Sequence, residues 1–197
     1  VSGESYVDFM REEVFEPLGL SRMAVDIPAG MESYTATRYA PDGSPIAFYD
    51  FDHPGASAVF ASARDLVRFG MFHLGDYGGD KPVLSPASIA AMQTPADTPE
   101  QSGYAVGWRI DRDAAGRKTV SHTGGMGGVA TILYLVPEEH VAVVVLCNSR
   151  TGLPSQLAPK IADIAAPPQS EESKAEAAAT AGSGDGADDE AEPREPV

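Results

Sequence analysis

The sequence has 197 residues and carries 29 acidic against 14 basic side chains, which gives a net charge of −15. This length favours one domain, or a domain with an appendage, and the acidic balance without a basic stripe disfavours binding to nucleic acids and to anionic membranes. Cys147 is the only cysteine, so an intrachain disulfide and zinc or redox sites of the CxxC type are excluded.

The N-terminal part of the chain predicts one helix followed by a long irregular stretch. Ser5 and Asp8 form a capping-box pattern ahead of apolar residues at helical spacing. Residues 21–60 show no sustained period, and they contain turn sequences at 41–45 and 53–55. We expect this stretch to run over a surface, since irregular segments of that length are commonly functional or poorly ordered.

Two further helices follow. Ser62 and Asp65 repeat the capping-box pattern at the start of the first, and a glycine-rich stretch ends it. Ser85 is placed to cap the second, with Pro86 at its first helical position. Three helices are therefore predicted before any clear strand.

The period then changes to that of a β-sheet. Strands are predicted at residues 103–111, 118–122, 129–136 and 141–147. The short connection at 137–140 favours an antiparallel meander. Tyr104 and Trp108 are interpreted as packing residues of the sheet rather than as groups that stack on a substrate, because aromatic residues favour strands.

The C-terminal part predicts one more helix and then a tail. The helix is expected over residues 156–165, with Pro159 in its first turn. Its apolar face is predicted to consist of Leu157, Ile161 and Ile164. Residues 167–197 are rich in Ala, Glu, Asp and Gly and contain too little apolar surface to offset the entropy of ordering. We predict a folded unit over 1–166 and a disordered acidic tail over 167–197.

Several common sites are disfavoured by their context. The stretch "GMGGVA" at 125–130 has the letters of a dinucleotide-binding fingerprint, but a strand follows it where that fingerprint requires a helix. No serine lies in G-x-S-x-G, which excludes a nucleophile elbow. The four histidines are too scattered for a zinc site: His53, His73, His122 and His140. We therefore predict neither a cofactor nor a metal ion.

The sequence "SHTGG" at 121–125 is the strongest candidate site. Small residues at the end of a strand let a substrate approach the backbone, and an unpaired N–H there can point at a developing oxyanion. His122 could donate a hydrogen bond or carry positive charge beside a polar substrate. The alternative is that the glycines form a tight connection and His122 is an ordinary surface residue.

Four stretches together resemble a known family. "SGESYVDFMREEVFEPLGL", "ASARDLVRFG", "YAVGW" and "HTGGMGGVATILYLVPEEHVAVVVLCN" match, in order and spacing, the C-terminal half of the serine β-lactamase-related hydrolases. The similarity covers about residues 1–165 and points to class C β-lactamases, D-alanyl-D-alanine carboxypeptidases and esterases. It implies an α+β fold of the β-lactamase/transpeptidase type, with an antiparallel sheet flanked by helices and incomplete on its N-terminal side.

The resemblance also implies roles for four residues. His122 would replace the lysine of the family's Lys-Thr-Gly triad, which helps to orient substrate, and Thr123 would face the substrate. Gly124 would leave space for the substrate. The backbone N–H of Gly125 would be one of two oxyanion donors.

The family's nucleophile motifs are absent from this sequence. No serine has a lysine three positions on, no tyrosine has an asparagine two positions on, and Asn148 is the only asparagine. In the family these motifs lie upstream of the helix that begins near Ser5, so we expect them before Val1, in an N-terminal part of the same domain. This chain alone should then be inactive.

Two interpretations follow. In the first, the chain is the C-terminal part of a serine hydrolase that forms an acyl-enzyme with a β-lactam, a D-amino-acid peptide or an ester. In the alternative, it belongs to a non-catalytic relative that binds a peptide or a protein partner. The sequence contains no apolar run of transmembrane length. The compartment is undetermined, although the resemblance suggests a periplasmic or secreted protein.

Overall fold

The computed structural model describes residues 2–49, 53–76, 83–96 and 102–168. The α-helices in these ranges are α1 (Tyr6–Phe9), α2 (Pro54–Ser57), α3 (Ala63–His73), α4 (Pro86–Met92) and α5 (Leu153–Ala165). A π-helical segment over Met10–Phe15 continues α1, and 3-10 turns lie at Glu32–Tyr34 and Pro137–Glu139. The strands described are β1 (Met23–Val25), β2 (Arg38–Tyr39), β3 (Pro45–Ile46), β4 (Val59–Ala61), β5 (Gly103–Tyr104), β6 (Arg109–Arg112), β7 (Lys118–Met126), β8 (Val129–Val136) and β9 (Val141–Cys147).

Five strands form an antiparallel sheet in the order β5-β6-β7-β8-β9, which confirms the predicted meander. Two of the predicted strand boundaries were wrong. Residues 103–111 form two strands rather than one, because the backbone turns at Gly107, whose φ of 75° lies in the left-handed region. The strand predicted at 118–122 continues to Met126, because residues 122–126 also pair with β8.

Helices cover both faces of this sheet, which confirms the predicted α+β class. Alternate residues of β8 point to opposite faces of the sheet. Because helices cover both faces, the strand is apolar along most of its length. On one face, Leu133 and Leu135 pack with residues of α3. On the other, Ile132 and Tyr134 pack with residues of α5. Leu135 is fully buried, and burial of such a side chain contributes roughly 1.5–3 kcal/mol.

The helix α5 contacts the sheet through a different face from the one predicted. Its buried residues are Pro154, Ala158 and Ala162. Leu157 is half-buried, whereas Ile161 and Ile164 are exposed, Ile164 by 81%. Small side chains let the helix lie close to β8 and β9. The face that contacts the sheet therefore carries alanines, and the larger isoleucines point to solvent. The helix begins three residues earlier than predicted, so Pro159 lies in its interior rather than in its first turn.

The stretch predicted to be irregular contains two small sheets, so strands precede the main sheet. β1 pairs with β4, and β2 pairs with β3, both antiparallel. The turn predicted at 41–45 is confirmed, since it closes the β2–β3 hairpin with a hydrogen bond of 2.9 Å from Ala40 N to Ser44 O.

The three predicted helix starts are confirmed by their caps. Ser5, Ser62 and Ser85 each accept a hydrogen bond from the backbone N–H three residues on, at 3.1 Å in every case. Each cap satisfies one of the N–H groups that a helix start leaves without a partner, which stabilises the helix by about 1 kcal/mol.

Residues 169–197, which include most of the predicted acidic tail, lie outside the described residues. Residues 77–80, which belong to the glycine-rich stretch predicted to end the second helix, also lie outside the described residues. In the ranges that are described, no helix combines the length and apolar character needed to cross a bilayer.

Candidate active site

The candidate site lies on β7, where the strand changes abruptly from buried to exposed. Thr119, Val120 and Ser121 are at most 8% exposed. The four following residues, 122–125, are all exposed. We call these four residues the rim. Because the rim is exposed, a small molecule can reach it. The buried residues before the rim anchor this part of β7 in the core.

The rim has one free edge within the described sheet. β6 pairs with β7 only as far as the Arg109–Ser121 pair, whereas β8 pairs with β7 along the whole rim. In an antiparallel pair, alternate residues direct their N–H and C=O groups away from the partner strand. Every second residue of the rim therefore presents a backbone donor and acceptor on the side away from β8.

The rim residues divide between the two faces of the sheet. His122 and Gly124 follow Val120 on the face covered by α3, and Thr123 and Gly125 lie on the face covered by α5. The structure thus brings the four predicted residues together along one edge, with their Cα substituents on alternating sides. The side chains of the four residues point to different faces, but their backbone atoms all lie along the same strand edge.

The two glycines of the rim differ in their surroundings. A Cβ added to Gly124 would clash with the hydroxyl oxygen of Thr131 on β8. A Cβ added to Gly125 would meet nothing within 4 Å. Gly124 is therefore required for packing against β8, whereas Gly125 leaves open space beside its own backbone.

Tyr104 belongs to this region, although the sequence interpretation assigned it to packing. It is 63% exposed, and its ring centroid lies 6.4 Å from that of His122. The same interpretation was right for Trp108, which is 5% exposed and part of the core. Tyr104 lies on β5 and Trp108 in the connection to β6, and the sequence held no signal that showed which of the two side chains is covered.

The turn beyond the rim is held by the N-terminal segment. Gly128 has a φ of 72°, and a Cβ there would lie 2.7 Å from Cβ of Arg38 and 2.9 Å from Cδ1 of Ile46. The hydroxyl of Tyr49 donates a hydrogen bond of 3.0 Å to the carbonyl oxygen of Gly127. These contacts fix the β7–β8 turn and, through it, the position of the rim.

Metal ligands do not cluster in the described ranges, where no group of three or more His, Cys, Asp or Glu side chains could hold a metal ion. The rim instead offers backbone donors, one hydroxyl and one imidazole. These groups can orient a carbonyl compound and stabilise negative charge on its oxygen.

The described residues thus define an α+β protein whose antiparallel sheet has an exposed backbone edge at residues 122–125. The chain belongs to the β-lactamase family, since the family model described as Beta-lactamase matches residues 1–166. Penicillin-binding protein 4 of Amycolatopsis lactamdurans is 30% identical over 165 residues, which cover 75% of this chain and 42% of the relative.

Solved structures show the same fold. A class C β-lactamase from Rhodobacter sphaeroides aligns with a TM-score of 0.67 and 21% identity, over 83% of this chain and 56% of its own. A β-lactamase/D-alanine carboxypeptidase from Pseudomonas syringae aligns with a TM-score of 0.66 and 18% identity, over 81% and 52%. The chain thus spans about half the length of the proteins that it matches.

Proposed function

We propose that this chain forms one wall of the active site of a serine hydrolase that acts on an amide or ester through an acyl-enzyme. The free edge of the rim supports this proposal most strongly. It combines exposed backbone donors with open space at Gly125, on a strand whose preceding residues are buried. The nucleophilic serine belongs to polypeptide outside this sequence, because no Ser-x-x-Lys occurs within it.

Each rim residue has a proposed role. The N–H of Gly125 donates to the carbonyl oxygen as it becomes an oxyanion, and such a donor contributes about 3–4 kcal/mol to transition-state stabilisation. His122 and Thr123 orient the substrate from the two sides of the strand. Gly124 keeps the strand close to β8, since any larger residue would clash with Thr131.

The proposed reaction has two steps. The serine oxygen bonds to the carbonyl carbon while the bond to the amine or alcohol breaks, and that leaving group takes up a proton. Water then hydrolyses the serine ester, which releases the acid and restores the hydroxyl. β-Lactams, D-amino-acid peptides and simple esters are the substrate classes that this chemistry fits.

The isolated chain provides the first test. It should not hydrolyse nitrocefin or p-nitrophenyl acetate above the rate in buffer, and a fluorescent penicillin should not label it, because the nucleophile is absent. Labelling at one specific serine of this chain would overturn the proposed location of the nucleophile.

The coding region upstream of Val1 provides the second test. It should encode Ser-x-x-Lys followed by Tyr-x-Asn or Tyr-x-Ser, and the extended protein should be labelled by the fluorescent penicillin. Replacing that serine with alanine should abolish labelling without unfolding the protein. An intact upstream domain that lacks both motifs would refute the enzymatic proposal in favour of a module that binds a peptide or protein partner.

A further inference from the structure

The β5–β6 hairpin brings one aromatic side chain beside the rim. Tyr104 is the last residue of β5, and it pairs with Arg109 of β6. Arg109 pairs in turn with Ser121, the residue that precedes His122 on β7. The ring centroid of Tyr104 lies 6.4 Å from that of His122, and the two ring planes are inclined by 63°. At this separation and angle two aromatic rings attract each other edge to face.

Contacts that do not involve the Tyr104 ring fix the position of this hairpin. The N–H of Ala105 donates a hydrogen bond of 2.7 Å to the carbonyl oxygen of Trp108, which closes the turn. Trp108 is 5% exposed, and its ring centroid lies 4.9 Å from that of His73 on α3. At the tip of the hairpin, the N–H of Val106 donates to the carbonyl oxygen of Met92 on α4 at 3.2 Å. Tyr104 therefore extends from an anchored backbone.

The same framework reaches the strand that carries His122. Gln93 ends α4 and is buried, and its Nε2 donates a hydrogen bond of 2.9 Å to the carbonyl oxygen of His73. Nζ of Lys118, the first residue of β7, donates to the carbonyl oxygen of Gln93 at 3.1 Å. These bonds join α3, α4 and the start of β7, so the backbones that carry Tyr104 and His122 are held relative to each other.

The His122 side chain has few other restraints. It is exposed, and in the part of the chain that the structure describes no hydrogen bond joins its imidazole to another group. A side chain without a fixed partner is free to exchange between staggered rotamers. Contact with the Tyr104 ring restricts this exchange before a substrate arrives, which reduces the entropy lost on binding and favours one orientation of the imidazole.

We propose that Tyr104 is a positioning residue, whose ring holds the His122 imidazole in the orientation in which it meets the substrate. This inference rests on the proposed acyl-transfer function and adds to it a residue from the β5–β6 hairpin. Among the described residues the Tyr104 hydroxyl has no hydrogen-bond partner, so the ring rather than the hydroxyl supplies the contact.

The first experiment needs no nucleophile. The four histidine rings of the 197-residue protein are isotopically labelled, and their NMR resonances and side-chain couplings are compared in the original protein, Tyr104→Leu and Tyr104→Phe. Leucine removes the ring current, so the His122 resonances should shift and its couplings should change to those of averaged rotamers. Phenylalanine keeps the ring and should leave both nearly unchanged.

Two controls belong to this comparison. His73 packs on Trp108 of the same hairpin, so its unchanged resonances in Tyr104→Leu will establish that the hairpin has not moved. Val106→Ala alters another exposed side chain of the hairpin, and it should leave the His122 resonances unchanged.

The second experiment measures kcat and KM in the extended enzyme. Tyr104→Leu should lower kcat/KM about two- to tenfold, the range expected for the loss of one aromatic pair, and Tyr104→Phe should keep it near the original value. In a His122→Ala background Tyr104→Leu should have no further effect, because the residue through which it acts is absent. Losses that add in the double variant would overturn the proposal, since they would mean that Tyr104 contacts the substrate itself or only supports the fold.

The two experiments distinguish failure of this proposal from failure of the proposed function. Circular dichroism establishes that each variant is folded. A folded extended protein without activity would refute the acyl-transfer function. An active extended protein, combined with His122 resonances and couplings in Tyr104→Leu that match those of the original protein, would refute the role of Tyr104 and leave the acyl-transfer function standing.

Discussion

His73 should make the stability of the protein depend on pH. It lies at the end of α3 and is 4% exposed, with ring centroids of Phe69, Phe72 and Trp108 between 4.8 and 5.2 Å away. Its Nδ1 has no hydrogen-bond partner among the described residues. Burial disfavours the charged imidazolium, and it lowers the pKa of His73 from 6.5 to about 4.

This pKa difference sets the direction and size of the effect. Between the two pKa values the unfolded chain binds more protons than the folded chain, so acidification stabilises the unfolded state. The contribution of neutral His73 is fully present above the unfolded pKa of 6.5 and is lost as the pH falls towards about 4. At about 1.36 kcal/mol per unit of pKa, the free energy of unfolding should fall by about 2.5 kcal/mol between about pH 7.5 and about pH 4.5 from this group alone.

The measurement is urea unfolding followed by circular dichroism across that pH range, on the original protein and on His73→Phe. Phenylalanine keeps an aromatic ring in place and cannot titrate, so the variant should lose about 2.5 kcal/mol less stability on acidification. His122→Gln is the matched control, because His122 is exposed, and its pH profile should follow that of the original protein. If His73→Phe shows the same pH dependence as the original protein, the burial argument is wrong.

Three further results are expected. In the extended enzyme, His122→Ala should lower kcat/KM at least tenfold, about 1.4 kcal/mol, and an unchanged value would make His122 an ordinary surface residue. Arg117→Ala should lower the free energy of urea unfolding by about 3 kcal/mol, because Arg117 is 8% exposed and its Nε pairs at 2.7 Å with Asp113, whose side chain is 11% exposed; a loss below about 1 kcal/mol would contradict this. Gly124→Ala should lower the melting temperature, and Thr131→Ala in the same chain should restore most of it by removing the hydroxyl that a Cβ would strike; equal melting temperatures for the single and double variants would refute that contact.

The sequence predicted the elements whose signals are local. The serines at positions 5, 62 and 85 mark helix starts because each cap forms within one turn of its own helix. The strands of the main sheet were recognisable from β-branched and apolar residues, and their short connections indicated that neighbours pair antiparallel.

Features that depend on distant contacts could not be predicted in the same way. The contact face of α5 consists of alanines and a proline, because the distance between helix and sheet favours small side chains over the larger isoleucines. A cleft beside the rim, lined by residues of the 21–62 segment and by the ends of β7, β8 and β9, requires that segment to fold back over the sheet, which no local period encodes. Arg22 and Arg38 line it although they lie 81 and 65 residues before Gly103, where the main sheet begins, and only the fold brings them beside it.

The rim illustrates why a candidate site can be located from sequence while its geometry cannot. Hydrophobic periodicity reports which face of a strand is covered, but the rim exposes an edge, so its alternating side chains carry no consistent signal. The edge is free because β6 ends its pairing at Ser121, a boundary set by the turn that contains Gly107. Small residues accumulate there because backbone atoms provide the accessible surface. The glycines therefore mark the position of the edge in the sequence. The N–H and C=O groups of the edge are available because β6 stops short of it.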